Sequence, residues 1–356
     1  MVKTCIRIVS RFRSEFINEC LPKLAYAKER LQSECDKAWI KFLKTNSIVF
    51  QKLMVGVKSV SKLDCLLSLA CVSNQEGFCR PQFVNNSDNR ILKIKDGRNI
   101  IVDYVLSMQP SSQYVPNDIE LDASKTRGLI LTGPNMGGKS CFLRQIGMAA
   151  LMAQVGCYVA GREAILPIFD AIFVRIGARD DLWTGRSTLK VELDEACTII
   201  ENASSKSLVL IDELGRGTST HDGCAIAKAV LNKLIQIECF VVFVTHFKRM
   251  TSLPQITTGI FTNGHMDYHV PNFTDEDIDE SKVKKVQRNV SLLYKYTPGP
   301  AGSSFGTNVA RLAGVPESIV DHGTTLALKF ERNSSRNDEF ARIINDGNLN
   351  YEPLQL

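Results

Sequence analysis

The sequence lacks any apolar run approaching the ~20 residues that a membrane-spanning helix needs, so no membrane partner is expected. Its start, Met1 to Ser10, is short and mixed and has no hydrophobic signal core, which argues against secretion. None of the eleven cysteines is paired as Cys-x-x-Cys, which argues against both a disulfide framework and a zinc site. Reduced, mostly buried thiols in a cytosolic or nuclear protein are expected instead. No internal repeat is visible.

What is present is ordinary globular composition: 44% hydrophobic and 23% charged over 356 residues, enough for two or three domains. The net charge of +5 is unevenly placed. Residues 1–60 hold 12 Lys+Arg against 5 Asp+Glu, and the remainder holds 31 against 33. A basic arm near a nucleic-acid backbone fits this, and so does a solvated helix face.

Ile17, Leu21, Leu24, Leu31, Cys35, Ala38 and Phe42 recur at helical spacing and predict a long helix over 14–46, with Pro22 in or before its first turn. A second helix is expected over about 47–72, followed by a boundary in the polar loop 74–77. Residues 79–132 read as strands and turns. Gly128 to Thr132 is a short apolar strand, followed by a glycine loop and a helix over about 140–155. Leu189, Leu193, Ala196, Ile200 and Ala203 form a helical stripe. Leu208–Ile211 and Phe240–Val244 read as buried strands around a helix at 225–235. Alternating strands and helices predict an α/β fold with a mostly parallel sheet covered on both faces. Residues 271–289 read as a charged surface insertion, and the chain after Phe330 as a polar tail.

The glycine loop carries the clearest chemistry. Gly133-Pro134-Asn135-Met136-Gly137-Gly138-Lys139-Ser140 matches the Walker A pattern in full, between a strand and a helix. The glycines let backbone N–H groups curl around phosphate, and the helix N-terminus adds a positive dipole end. Lys139 is expected to reach the terminal phosphates, and the Ser140 hydroxyl to ligate Mg²⁺. The strand Leu208–Ile211 ends in Asp212 and Glu213, expected respectively to hold Mg²⁺ through water and to orient or deprotonate an attacking water. His246, after the strand 240–244, is placed to sense a γ-phosphate.

Four stretches together resemble the MutS family of DNA mismatch-repair ATPases. They are Thr132 to Ser140, Met152 to Val159, Gly185-Arg186-Ser187-Thr188, and Asp212-Glu213-Leu214-Gly215-Arg216-Gly217-Thr218-Ser219-Thr220. Within the family, Cys79-Arg80-Pro81, Val115-Pro116-Asn117-Asp118 and Gly264-His265-Met266 resemble the branch of the sixth eukaryotic homologue. The resemblance implies a P-loop NTPase of the ABC class that binds ATP and Mg²⁺ and hydrolyses ATP in a DNA-dependent manner. It implies a heterodimer with a second MutS homologue, mismatched double-stranded DNA in the full assembly, a MutL-type downstream factor and a nuclear location. It divides the chain into a helical lever remnant (1–76), the ATPase domain (77–300), a helix-turn-helix dimerisation element (301–330) and the tail (331–356).

Residue by residue, the resemblance implies that Ser187 crosses to the partner's ATP, and Ser187 also suits the N-cap of the next helix. It places Asp222 in the loop after Walker B at the dimer contact, and Tyr114 where an aromatic stacks on adenine. Cys141 stands where threonine is frequent, and Arg98-Asn99-Ile100 stands where Arg-His-Pro is common, leaving that loop's geometry open. The family's Phe-x-Glu mismatch wedge occurs nowhere in this sequence. The chain therefore reads as a C-terminal fragment or a reduced protein. Two other functions stay open: a nucleotide-dependent assembly module with little turnover, and a meiotic MutS-type crossover factor.

Overall fold

A computed structural model describes residues 14–84, 90–110, 112–177, 187–253, 259–269, 291–301, 309–311, 313–327 and 329–330. The expected insertion at 271–289, the tail after Phe330 and the loop residues Gly185-Arg186 lie outside these. The chain divides into two compact units, Met1–Ser68 and Leu69–Leu356.

The first unit consists of one helix among its described residues. Helix α1 runs unbroken over Glu15–Ser73, its last turn belonging to the second unit. The break expected near residue 46 is absent. Thr45, Asn46 and Ser47 instead turn their side chains onto carbonyls of their own helix, those of Lys41, Phe42 and Lys44, at 2.8–2.9 Å. Polar residues that read as a breaker are thereby satisfied inside a helix. Pro22 lies beyond the first turn, because the helix starts at Glu15. The stripe residues Ile17, Leu24, Leu31 and Phe42 are exposed.

In the second unit, six strands form one sheet. In chain order its members are β5 (Gly128–Thr132), β8 (Ile172–Ile176), β9 (Leu208–Asp212), β10 (Phe240–Val244), β11 (Phe261–His269) and β12 (Ser291–Pro298). The spatial order is β12-β11-β5-β10-β9-β8, all neighbours parallel except the edge pair β11–β12. Its central strands are buried throughout and apolar except for Thr132 and Asp212 at their ends, as a sheet covered on two faces requires. Alternate side chains make two separate cores. Leu129, Leu131, Leu210 and Val242 pack with Phe142, Leu143 and Ile146 of α3 (Lys139–Gln154). Ile130, Val209, Ile211 and Phe243 pack with Ala196 and Ile199 of α4 (Thr188–Asn202) and with Ala227 and Leu231 of α5 (Thr220–Ile237).

Two further sheets were not expected from the sequence. Strands β2 (Gln82–Phe83), β7 (Glu163–Leu166), β3 (Ile91–Gly97) and β4 (Asn117–Asp122) form a mixed four-stranded sheet, and β1 (Phe78–Cys79) pairs with β6 (Val159–Ala160). A short helix, α2 (Ile100–Ser107), stands where strands and turns were expected. Asn99 starts it by accepting the Val102 N–H at 3.3 Å, and its Nδ2 donates to the Cys141 carbonyl at 3.2 Å. Arg98 pairs with Asp103 at 2.7 Å. The departure from Arg-His-Pro thus builds a capped helix tied to α3.

Residues 309–311 and 317–327 are helical on either side of a turn at Gly314, whose φ of 84° only glycine adopts without strain. Arg311 Nε pairs with Glu317 across it, at 3.0 Å.

All ten described cysteines are free, but only Cys157 and Cys239 are buried. The expected burial fails because many of the thiols, such as Cys35 and Cys65, sit on solvent-facing helix surfaces. Among the described residues no helix is long and apolar enough to cross a membrane.

Candidate functional site

The parallel register aligns Leu131 with Val244, Val244 with Asp212, and Asp212 with Ile176. The carboxyl ends of four strands therefore open on one edge, the place where such sheets bind ligands. The glycine loop, the Asp212-Glu213 pair, His246 and Gly177 all follow closely on these ends.

Gly133 has φ 129°, Met136 φ 62°, and Gly138, the N-cap of α3, φ 95°. No side chain caps α3, so its first-turn N–H groups point into the loop without a local acceptor side chain. Lys139 is 6% exposed and lies folded over its own loop, donating to the carbonyls of Gly133 at 3.0 Å and Pro134 at 2.8 Å. Burial lowers its pKa, while the Glu213 and Asp212 charges oppose that shift. Pro134, Asn135 and Gly137 complete the turn, with the Gly137 N–H bonded to the Pro134 carbonyl at 3.2 Å.

Asp212 is buried, and burial raises its pKa against the lowering effect of a hydrogen bond from Ser140. Its Oδ1 is buried with no hydrogen-bond partner. A buried carboxylate oxygen without a donor, beside a hydroxyl, suits a hard cation with oxygen ligands. Ser140 and Asp212 therefore fit Mg²⁺, and the cradle ahead of them fits phosphate.

Glu213 has φ 56°, a strained conformation for a non-glycine residue that costs roughly 1–3 kcal/mol. The strain turns its carboxylate from the strand into the site. Oε1 lies 2.5 Å from His246 Nε2, and Oε2 lies 2.6 Å from Arg216 Nη1. The His246 hydrogen bond, against the opposing effect of burial, takes the Glu213 pKa down to about 2, with His246, Arg216 and Lys139 charges adding to it. A cavity of 580 Å³ is lined by Ser140, Arg144, Asp212, Glu213 and Arg216, and one of 260 Å³ by Asn135, Glu213 and His246.

The remaining expected residues lie around this centre. Tyr114 stands beside the first turns of α3, its hydroxyl donating to Gln145 Oε1 at 3.0 Å and lying 3.7 Å from Cys141 Sγ. Burial raises the Tyr114 pKa, so the phenol stays a donor. Ser187 is the N-cap of α4, accepting the Lys190 N–H at 3.3 Å, and its neighbour Thr188 lines the 580 Å³ cavity. Asp222 is not in a loop but in the first turn of α5. There it accepts the Ser219 hydroxyl at 2.9 Å, while Ser219 caps the helix.

Two charged residues were missed by reading the sequence. Arg175 on β8 and Glu192 on α4 are both buried and ion-paired at 2.9 Å beneath Asp212 and Glu213. The signals were there: Arg175 is the lone charge in Ile172–Ile176, and Glu192 falls on the apolar face that Leu189 and Ala196 define.

The sequence model of MutS domain V matches residues 129–331. DNA mismatch repair protein Msh3 of Dictyostelium discoideum is 41% identical over 313 residues, covering 88% of this chain and 22% of that protein. The Homo sapiens Msh3 protein is 40% identical over 326 residues, 91% of this chain and 28% of its own length. The Aspergillus oryzae Msh3 protein is 39% identical over 332 residues, 93% and 28% respectively. The chain spans about a quarter of the length of these curated relatives. They carry the name Msh3, not that of the sixth homologue which three short motifs had suggested. With the domain V match running from β5 through the helical residues beyond Gly314, this chain belongs to the MutS family and carries its ATPase domain.

Proposed function

We propose that this chain is the ATP-binding and ATP-hydrolysing module of a MutS-type mismatch-repair subunit of the Msh3 branch. The observation that carries the reading is the convergence of Lys139, Ser140, Asp212, Glu213 and His246 on one sheet edge. Gly133 to Gly138 and the N-terminus of α3 would cradle the phosphates, and Lys139 would exchange its two loop carbonyls for phosphate oxygens. Ser140 and Asp212 would hold Mg²⁺, which neutralises phosphate charge when bound. Glu213, ionised and held by His246, would orient or deprotonate a water. Tyr114 would support the adenine.

The module works as one half of a heterodimer with a second MutS homologue. Ser187 serves the partner's nucleotide, Asp222 lies at the dimer contact, and the helices around Gly314 clasp the partner. Mismatched double-stranded DNA and a MutL-type factor engage the full nuclear assembly. Residues 1–60 add at most a weak, salt-sensitive DNA contact.

One observation favours slow turnover by the isolated chain. Both oxygens of Glu213 are engaged, one by His246 and one by Arg216. Steady-state hydrolysis measured with and without a second MutS homologue tests this: stimulation is expected, and equal turnover in both would remove the dimer from the mechanism.

A further inference from the structure

Arg175 is the penultimate residue of β8, in register with Ile211, and the next pair is Ile176 with Asp212. Only 2% of it is exposed. Its Nη1 donates to the main-chain carbonyl of Asp212 and, at 3.2 Å, to that of Glu213. Its Nη2 approaches Glu192 Oε1 at 2.9 Å outside hydrogen-bonding geometry, so this contact is an ion pair. The other oxygen, Glu192 Oε2, accepts the Gly215 N–H at 3.0 Å.

One buried ion pair thus grips the main chain at residues 212, 213 and 215. These enclose the position where Glu213 is forced to φ 56°. A strained peptide keeps such a conformation only where its surroundings over-determine it. The two carbonyls on one side and the N–H on the other do so here. Both side chains also border the 580 Å³ cavity, and the Arg175 charge lowers the Asp212 pKa, but their hydrogen bonds to the turn all run to its backbone.

Resting on the nucleotide-site reading above, we infer that Arg175 and Glu192 are positioning residues. They hold the turn that presents the Asp212 and Glu213 carboxylates to metal and water. Glu192 sits on α4, whose N-cap is Ser187, so the same pair ties the start of α4 to the acidic turn. The purpose of the pair is geometric. A buried ion pair is weak support for stability, and a matched apolar pair often replaces it without loss of folding. A guanidinium fork fits two carbonyls and a carboxylate at once, which no apolar side chain does.

The test is a Mg²⁺ titration of ATP binding by the full chain, with thermal unfolding recorded alongside. Glu192→Gln keeps an acceptor for Gly215 and removes the charge. Arg175→Met/Glu192→Met removes the pair and refills the space. Both variants are expected to fold, to bind ATP without Mg²⁺ within twofold of wild type, and to need at least fivefold more Mg²⁺ for half-maximal enhancement. Folded variants with wild-type Mg²⁺ dependence would overturn the inference. So would failure of both to fold, since the pair would then be a requirement of the core. If wild-type ATP binding is itself indifferent to Mg²⁺, the nucleotide-site reading fails first and takes this one with it.

Discussion

His246 Nε2 stands 2.5 Å from Glu213 Oε1, and this contact is the largest cause of the depressed Glu213 pKa. Glu213 is therefore an ionised acceptor at neutral pH, better suited to orienting a water than to taking its proton. Glu213→Ala is expected to retain ATP binding and to lower turnover roughly 10²–10⁴-fold, the usual range for a positioned base. Single-turnover hydrolysis beside equilibrium nucleotide binding measures both, and near-normal turnover would remove Glu213 from the chemistry.

The same pair sets an acid-side stability dependence. Glu213 falls from 4.5 unfolded to about 2 folded. Its contribution is fully present above 4.5 and is lost as pH falls towards 2, amounting to about 3 kcal/mol at most. Asp212, raised by burial, works in the opposite direction. Between pH 4.5 and 2, Glu213→Gln should lose stability less steeply than wild type in urea unfolding. Parallel curves would contradict the assigned interaction.

Phe142 links the phosphate-loop helix to the sheet. It is 1% exposed and stacks on Tyr296 with ring centroids 5.1 Å apart. Phe142→Ala should cost about 3–5 kcal/mol. Urea midpoints read this directly, and a loss below about 1 kcal/mol would show that α3 is anchored elsewhere.

Gly215 and Gly223 bring the acidic turn and α5 into backbone contact. A Cβ on Gly223 would stand 2.2 Å from the Gly215 carbonyl oxygen. Gly223→Ala should therefore destabilise by about 1–3 kcal/mol, as overpacking does. A neutral effect in thermal unfolding would mean that the two segments separate freely.

Much of this centre was legible in the sequence because its signals are local. Gly133 to Ser140 is contiguous, and the apolar runs 208–211 and 240–244 end at Asp212 and before His246. The misses have physical reasons. Ile100–Ser107 is rich in β-branched residues and reads as strand, yet Asn99 caps it as a helix. The sheet β2-β7-β3-β4 pairs residues from both sides of the phosphate-loop segment, and the local alternation of β4, with Ile119 and Leu121 buried, marks a strand without naming its partner. Thr45 to Ser47 resemble a break but bond their own helix. Arg175 and Glu192 meet only in three dimensions, although each stands out as a charge within an apolar pattern.

Lys139 decides the central claim. It is the buried cation of the loop, and its two acceptors are the Gly133 and Pro134 carbonyls that frame the phosphate cradle. Isothermal titration of Mg²⁺-ATP into the full chain and into Lys139→Ala is the most direct measurement. Saturable binding by wild type and its loss in Lys139→Ala is the predicted result; equal affinity for the two would contradict the account.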